Sequence, residues 1–238
     1  TPGTTVTTTV ILSNNGSTTT TFTTTVVING ATTTLVNTLA PNTTESVVIS
    51  VPLTSTGATV TATITDSSVP DSNLGNNSDS ENAGALFADV TTEVDLPANA
   101  PAGTVVTGTV VFTNSAAAGA TASAVVGTVT LSNGESYTYS VGDLTPGASA
   151  TRTFTTTVPS TLGTVLEVTS TVATATPESN TANNTDVDNQ AGGEQLTPLF
   201  ADPGVSVNEI PAGTPGTTVT TTVILSNNGS TTTTFTTT

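Results

Sequence analysis

The sequence predicts an all-β chain of tandem Ig-like β-sandwich domains arranged end to end in a fibre. Three observations carry that expectation. Threonine and valine dominate the composition, apolar residues alternate at period two between Asn, Gly and Pro turns, and a 25-residue string occurs twice without a change. Branched Cβ atoms suit a pleated surface, whereas Leu, Lys, Glu and Arg, the usual helix formers, are scarce.

The strands read off in chain order. In the run Val6–Leu12, Val6, Thr8, Val10 and Leu12 share one face while Thr7, Thr9 and Ile11 share the other, the signature of a half-buried strand. Val106, Gly108, Val110 and Phe112 repeat that face. Further strands are predicted at 19–28, 32–38, 44–51, 58–65, 122–131, 135–142, 149–158 and 164–175. Asn-Gly pairs at 15–16, 29–30 and 133–134 are read as hairpin turns. About seven short strands per hundred residues fit an Ig-like sandwich, and Phe22, Phe112 and Phe154 are its expected core anchors.

Residues 1–25 and 214–238 are identical, an offset of 213 (214 minus 1). A weaker repeat lies inside this one. Residues 70–79 (PDSNLGNNSD) match 177–186 (PESNTANNTD) at an offset of 107 (177 minus 70), 39–46 match 144–151, and 3–14 match 103–114. The string LFAD opens a domain at 86–89 and again at 199–202. The expected division is a domain A at 1–85 without its first strand, a domain B at 86–198, and the first strands of another domain A at 199–238.

The turn Leu39–Pro41 with Asn76–Asn77, and Leu144–Pro146 with Asn183–Asn184, follow the order strand, turn, L-x-P turn, long strand, P-[DE]-x-N-x-x-N-N. This resembles the CARDB and DUF11-like Ig-like repeat domains of bacterial and archaeal cell surfaces, once in each domain. The resemblance implies β-sandwich modules in surface adhesins and stalks. Some surface Ig-like modules carry Lys–Asn isopeptide links, and this chain has no lysine to make one.

Charge excludes several functions. The formal net charge is −16, with one basic residue, Arg152. A polyanion such as nucleic acid is repelled, a basic membrane-surface helix cannot form, and no apolar run reaches the length of a membrane span. No Cys means no disulfide framework, and no Cys or Met means no easily oxidised side chain, which suits an extracellular or cell-surface location. Ser and Thr abound, but without His, Cys or Lys no ordinary base activates them, so the expectation is a protein that is not an enzyme and carries no cofactor.

Calcium is the one ion whose all-oxygen chemistry fits. Its candidate ligands are Asp79, Glu81 and Asp89 around the first joint, and Asp186, Asp188, Glu194 and Asp202 around the second. The competing reading is solvated loop acids. The Asn-rich motif reads more readily as turn-building Asn and Asp than as a ligand site. Glycan acceptor patterns occur at Asn15, Asn42, Asn76, Asn183 and Asn228, which would make the chain a glycoprotein. Three functions compete. The first is a structural component of an extracellular filament or adhesin stalk, its partners being identical repeats and a surface or glycan met by a separate tip domain. The second is a fimbria-like polymer of separate subunits joined by donated strands. The third, a carbohydrate-binding array, lacks aromatic platforms, Tyr137 and Tyr139 being the only tyrosines and Trp absent.

Overall fold

The computed structural model describes residues 1–188 and 195–236. It is all-β with open sheets, and a single 3-10 turn, Leu74–Asn76, is the only helical piece among the described residues. By its contacts the chain divides into two units. The first is Thr1–Ala88 with the short pieces Ala117–Thr121 and Thr176–Ser179, and the second holds the other described residues.

The first unit contains β1 (Thr5–Asn14), β2 (Thr20–Ile28), β3 (Ala31–Leu39), β4 (Thr43–Pro52), β5 (Ala58–Ser67) and β6 (Ser78–Ala83). One sheet has the order β3-β2-β5-β6 and the other is the pair β1-β4. The β1 alternation emerges as expected: Leu12 is buried and Ile11 is 68% exposed. Leu12, Phe22 and Leu39 form one core cluster with Val10, Val47 and Ile64. Val51, Leu53 and Ala58 form a second with Ile28, Ile49, Val60 and Ala83. Asn29 and Gly30 (φ 48° and 85°) close the β2–β3 hairpin, in which Ile28 faces Ala31; positive φ at both positions is what Asn-Gly supplies.

The pair Asn15-Gly16 behaves otherwise. β1 pairs with β4 and β2 with β3 and β5, so the link between β1 and β2 is an arch from one sheet to the other and not a hairpin. The buried Asn14 side chain builds it: Nδ2 donates to Thr18 O and Leu39 O, and Oδ1 accepts from Gly16 N.

The second unit holds β7 (Val90–Asp95), β8 (Asn99–Pro101), β9 (Val105–Asn114), β10 (Ala122–Leu131), β11 (Ser136–Leu144), β12 (Ser149–Thr157), β13 (Val168–Ala173), β14 (Thr185–Asp188), β15 (Thr197–Leu199), β16 (Pro203–Val207) and β17 (Val223–Asn227). A four-stranded sheet β11-β10-β13-β14 and a three-stranded sheet β12-β9-β7 carry the sandwich. β8 pairs in parallel with β15, and β16 with β17 as a two-stranded ribbon. Phe112 and Phe154 are buried, as is Phe22 in the first unit, each such burial contributing about 1.5–3 kcal/mol. Their rings lie directly on glycines: a Cβ at Gly127 would stand 2.0 Å from Phe112 Cζ, and one at Gly108 2.3 Å from Phe154 Cζ.

Both open sides of this sandwich are stitched by side chains. On one side, Tyr137 donates its hydroxyl to Thr155 O, and Tyr139 to Thr153 O at 3.0 Å, from β11 to β12. On the other, Asp186 Oδ2 accepts from Val94 N at 2.8 Å and Asp188 Oδ2 from Leu96 N at 3.0 Å. These backbone donors face away from the β9 ladder and would otherwise be unpaired, a cost comparable to a lost hydrogen bond. Inside, Thr92 and Ser170 share a buried hydroxyl–hydroxyl bond of 2.8 Å.

Candidate functional site

The feature that sets the first unit apart is a groove. β9 has two neighbours, β12 and β7, whereas its counterpart β1 has one, β4. Alongside β1 lies an open trough of about 560 Å³. Thr8–Asn14 form one wall, Phe22, Thr24, Val60, Ala62 and Ile64 the floor, and Pro70–Asn73 with Asn76–Glu81 the far wall. Thr24 Oγ1 is buried there without a hydrogen-bond partner. The trough has an apolar floor between polar walls, and among the described residues no strand pairs with the outer edge of β1.

The acids singled out in the sequence fall on this geometry. Asp79 and Glu81 lie on β6, opposite Ala62 and Val60, and line the groove. Asp186 and Asp188 hold the matching places on β14, where they bind backbone amides of β7. Asp89 accepts from Asn183 Nδ2 at 2.9 Å. The amide of Asp202 donates to Asn227 Oδ1 at 2.9 Å. Glu194 lies outside the described residues. No three His, Cys, Asp or Glu side chains group to hold a metal among the described residues; Asp79, Asp89, Asp186 and Asp188 each spend a carboxylate oxygen on a backbone or amide donor.

Of the glycan acceptor positions, Asn15, Asn42, Asn76 and Asn228 are exposed and Asn183 is half-buried with its Nδ2 held by Asp89. Asn42 sits at φ 57° in the turn after Pro41, and Asn76 ends the 3-10 turn. The Asn-rich motif builds turns: Asp71 Oδ1 accepts from Asn73 N, Asn73 Oδ1 from Gly75 N, and Asn180 Oδ1 from Ala182 N. Tyr139 has its pKa raised above 10.0, chiefly by burial and then by Tyr137, with Arg152 opposing.

Sequence reading passed over Asn14, Asn114 and Asn227, which end β1, β9 and β17. Asn114 Nδ2 donates to Leu144 O at 2.9 Å and its Oδ1 accepts from Asp89 N at 3.1 Å. Asn227 Nδ2 donates to Thr231 O. The available signal was an asparagine recurring at the same place in three repeated strings, otherwise filled with Thr and Ser.

No family model matches the chain, and no curated protein does. Solved structures similar to it include the CARDB domain of a Pyrococcus furiosus protein. Its solution NMR structure aligns at 18% identity and a TM-score of 0.39 over 48% of this chain and 96% of that one. A crystal structure of the same domain in complex with di-metal ions aligns at 18% and 0.37 over 47% and 88%. Red sea bream transglutaminase aligns at 14% and 0.34, over 78% of this chain but 29% of the enzyme. A CARDB domain is thus among the folds this chain is similar to, as its turn motifs imply.

Proposed function

We propose that this chain is a structural component of an extracellular filament or adhesin stalk built from identical repeats of two Ig-like domains. The observation that carries the reading is a register. β16 meets β17 with Pro203 opposite Asn227, Val205 opposite Leu225 and Val207 opposite Val223. β7 meets β9 with Val90 opposite Asn114, Thr92 opposite Phe112 and Val94 opposite Val110. The two pairings superpose at an offset of 113, so the ribbon β16–β17 is the opening of a further sandwich and its second strand is a second copy of β1. No helix among the described residues is long and apolar enough to cross a membrane, and a net charge of −16 keeps neighbouring fibres apart. The pairing of β16 with a copy of the β1 string also suits a second arrangement, a pilus-like polymer of separate subunits joined by donated strands.

A denaturing gel of the native material, with negative-stain electron microscopy, separates these. A stalk gives one very large polypeptide and thin beaded filaments. A polymer gives filaments that dissolve into subunits of one repeat. Small polypeptides and no filament overturn both.

A further inference from the structure

We infer that the outer edge of β4 in the first unit is an interaction surface, and that its partner is the same edge of a second copy of this chain, the two β4 strands running antiparallel with Val48 opposite Val48, Ser46 opposite Ser50 and Val47 opposite Ile49. The inference goes beyond the repeat reading and does not depend on it.

The second unit displays such an edge closed. β12 bounds the sheet β12-β9-β7. Asn114 N donates to Ala148 O and Val158 N to Thr104 O, and an antiparallel ladder alternates, so Thr151, Thr153 and Thr155 turn their backbone groups away from β9. Side chains take all three carbonyls. Arg152 Nη1 donates to Thr151 O at 2.9 Å, Tyr139 to Thr153 O at 3.0 Å and Tyr137 to Thr155 O. These are the one basic residue and the only two tyrosines of the chain, and all are spent on one edge. Capped acceptors cannot recruit a further strand.

β4 is the counterpart of β12, and an edge of the same kind. Val47 pairs with Val10 as Arg152 pairs with Val110. Thr33 and Leu35 pair with Val26 and Thr24 as Tyr137 and Tyr139 pair with Val129 and Gly127. All three caps are thus replaced. Leu53 N donates to Thr4 O, so by the same alternation Ser46, Val48 and Ser50 turn their backbone groups away from β1. Among the described residues no strand or side chain bonds them. The open stretch stops at Pro52, whose carbonyl accepts from Asn29 Nδ2.

Two features of β4 select a copy of itself. The first is a near-palindrome, Ser46-Val47-Val48-Ile49-Ser50. A two-fold axis through Val48 sets serine on serine and valine on valine along the outer face, where Val48 is 67% exposed, and it makes the pairing isologous. The second is charge. Residues 1–44 hold no charged side chain, and Glu45 is the only one on β4; its Oε2 accepts from Asn37 Nδ2 at 2.9 Å. In the two-fold register Glu45 meets Val51 and not another carboxylate. A net charge of −16 sets copies against each other elsewhere, whereas here two of them meet on neutral strands and extend one sheet into the next.

The test is a disulfide trap in the full chain, which has no native cysteine. Val48 faces its own copy in a hydrogen-bonded pair, about 5.5 Å between Cα atoms, within disulfide reach. Val48→Cys, oxidised mildly and run without reductant, should give a linked dimer with loss of the single-chain band. Thr153→Cys, exposed at the corresponding place on the capped β12 edge, should stay single. Adding Ser46→Glu and Ser50→Glu, both at exposed positions, to Val48→Cys sets carboxylates opposite each other and should abolish the link. Mixing that chain with Val48→Cys carrying Ser46→Lys and Ser50→Lys should restore it as a mixed dimer. A Val48→Cys chain that is folded by circular dichroism and stays single, equal linking through Thr153→Cys, or a link that the paired glutamates leave intact overturns the inference. Linked dimers from a protein whose native material shows no filaments would sustain this edge and sink the fibre reading.

Discussion

Replacing Gly127 by alanine measures how tightly the second unit closes on Phe112. The new Cβ would stand 2.0, 2.2 and 2.7 Å from Cζ, Cε1 and Cε2 of a ring with no exposed surface. Neither side can yield easily, because Gly127 is locked between β11 and β13 and Phe112 between β7 and β12. Overpacking of this kind costs about 1–3 kcal/mol, offset by roughly 0.5–1 kcal/mol because alanine suits a strand better than glycine. A net loss of ~1–2 kcal/mol corresponds to a fall in Tm of roughly 5–15 °C for a domain near a hundred residues. The assay reads one unit alone: Tyr137 and Tyr139 are the only tyrosines and there is no Trp, so tyrosine fluorescence follows the second unit while far-ultraviolet circular dichroism follows both. Adding Phe112→Leu should relieve the clash, giving a coupling of about 0.5–3 kcal/mol in the double-mutant cycle. If Gly127→Ala leaves the tyrosine transition in place, or the two losses simply add, the account of the core is wrong.

Asp186→Ala strands the Val94 amide and should cost about 1–3 kcal/mol, whereas Asp186→Asn keeps an acceptor oxygen and should lose less; urea melts of both compare them. Tyr139 ionises less readily folded than unfolded, so its contribution is whole below pH 10.0 and is lost as the pH rises past it; titration of tyrosinate absorbance should show one residue above the ordinary range, and Tyr139→Phe should flatten the alkaline fall in stability. If the acids singled out in the sequence bind calcium, adding it should raise Tm and EGTA should reverse the rise; transitions unmoved by either would leave those acids as solvated charges.

Strands that alternate apolar and polar residues were legible in the sequence. The predicted runs at 19–28, 32–38, 44–51, 58–65 and 122–131 correspond to β2, β3, β4, β5 and β10 within one or two residues at each end. The strands β6, β7 and β14 were not singled out, for a physical reason. The sequences of β6 and β14, SDSENA and TDVD, lie at sheet edges, where carboxylates serve as hydrogen-bond acceptors and no apolar period is needed; β7, VTTEVD, does bury Val90 and Val94, but Thr92 between them breaks the apolar period. The same edges hold the acids that composition suggested for calcium. Charge and oxygen content identify an acceptor, but which donor it meets depends on the strand opposite, and that pairing is long-range. Asn15-Gly16 misled because turn chemistry is local, while its use as an arch is set by the adjacent buried Asn14, whose side chain reaches Leu39 O on another strand.

At the offset of 113 Val205 stands where β7 has Thr92, and Ala62 faces Asp79 as Ser170 faces Asp186; this exchange of a hydroxyl pair for an apolar pair has a consequence for order. A β7-type strand laid in the first unit's trough would bury the Thr92 hydroxyl against a methyl group. A β16-type strand laid in the second would strand the hydroxyl of Ser170 against Val205. Each error leaves a buried polar group unpaired, at about 1–3 kcal/mol, a bias of roughly five- to more than a hundredfold. Under the repeat reading proposed above, two core positions would thus act as a parity check on which strand belongs to which kind of domain.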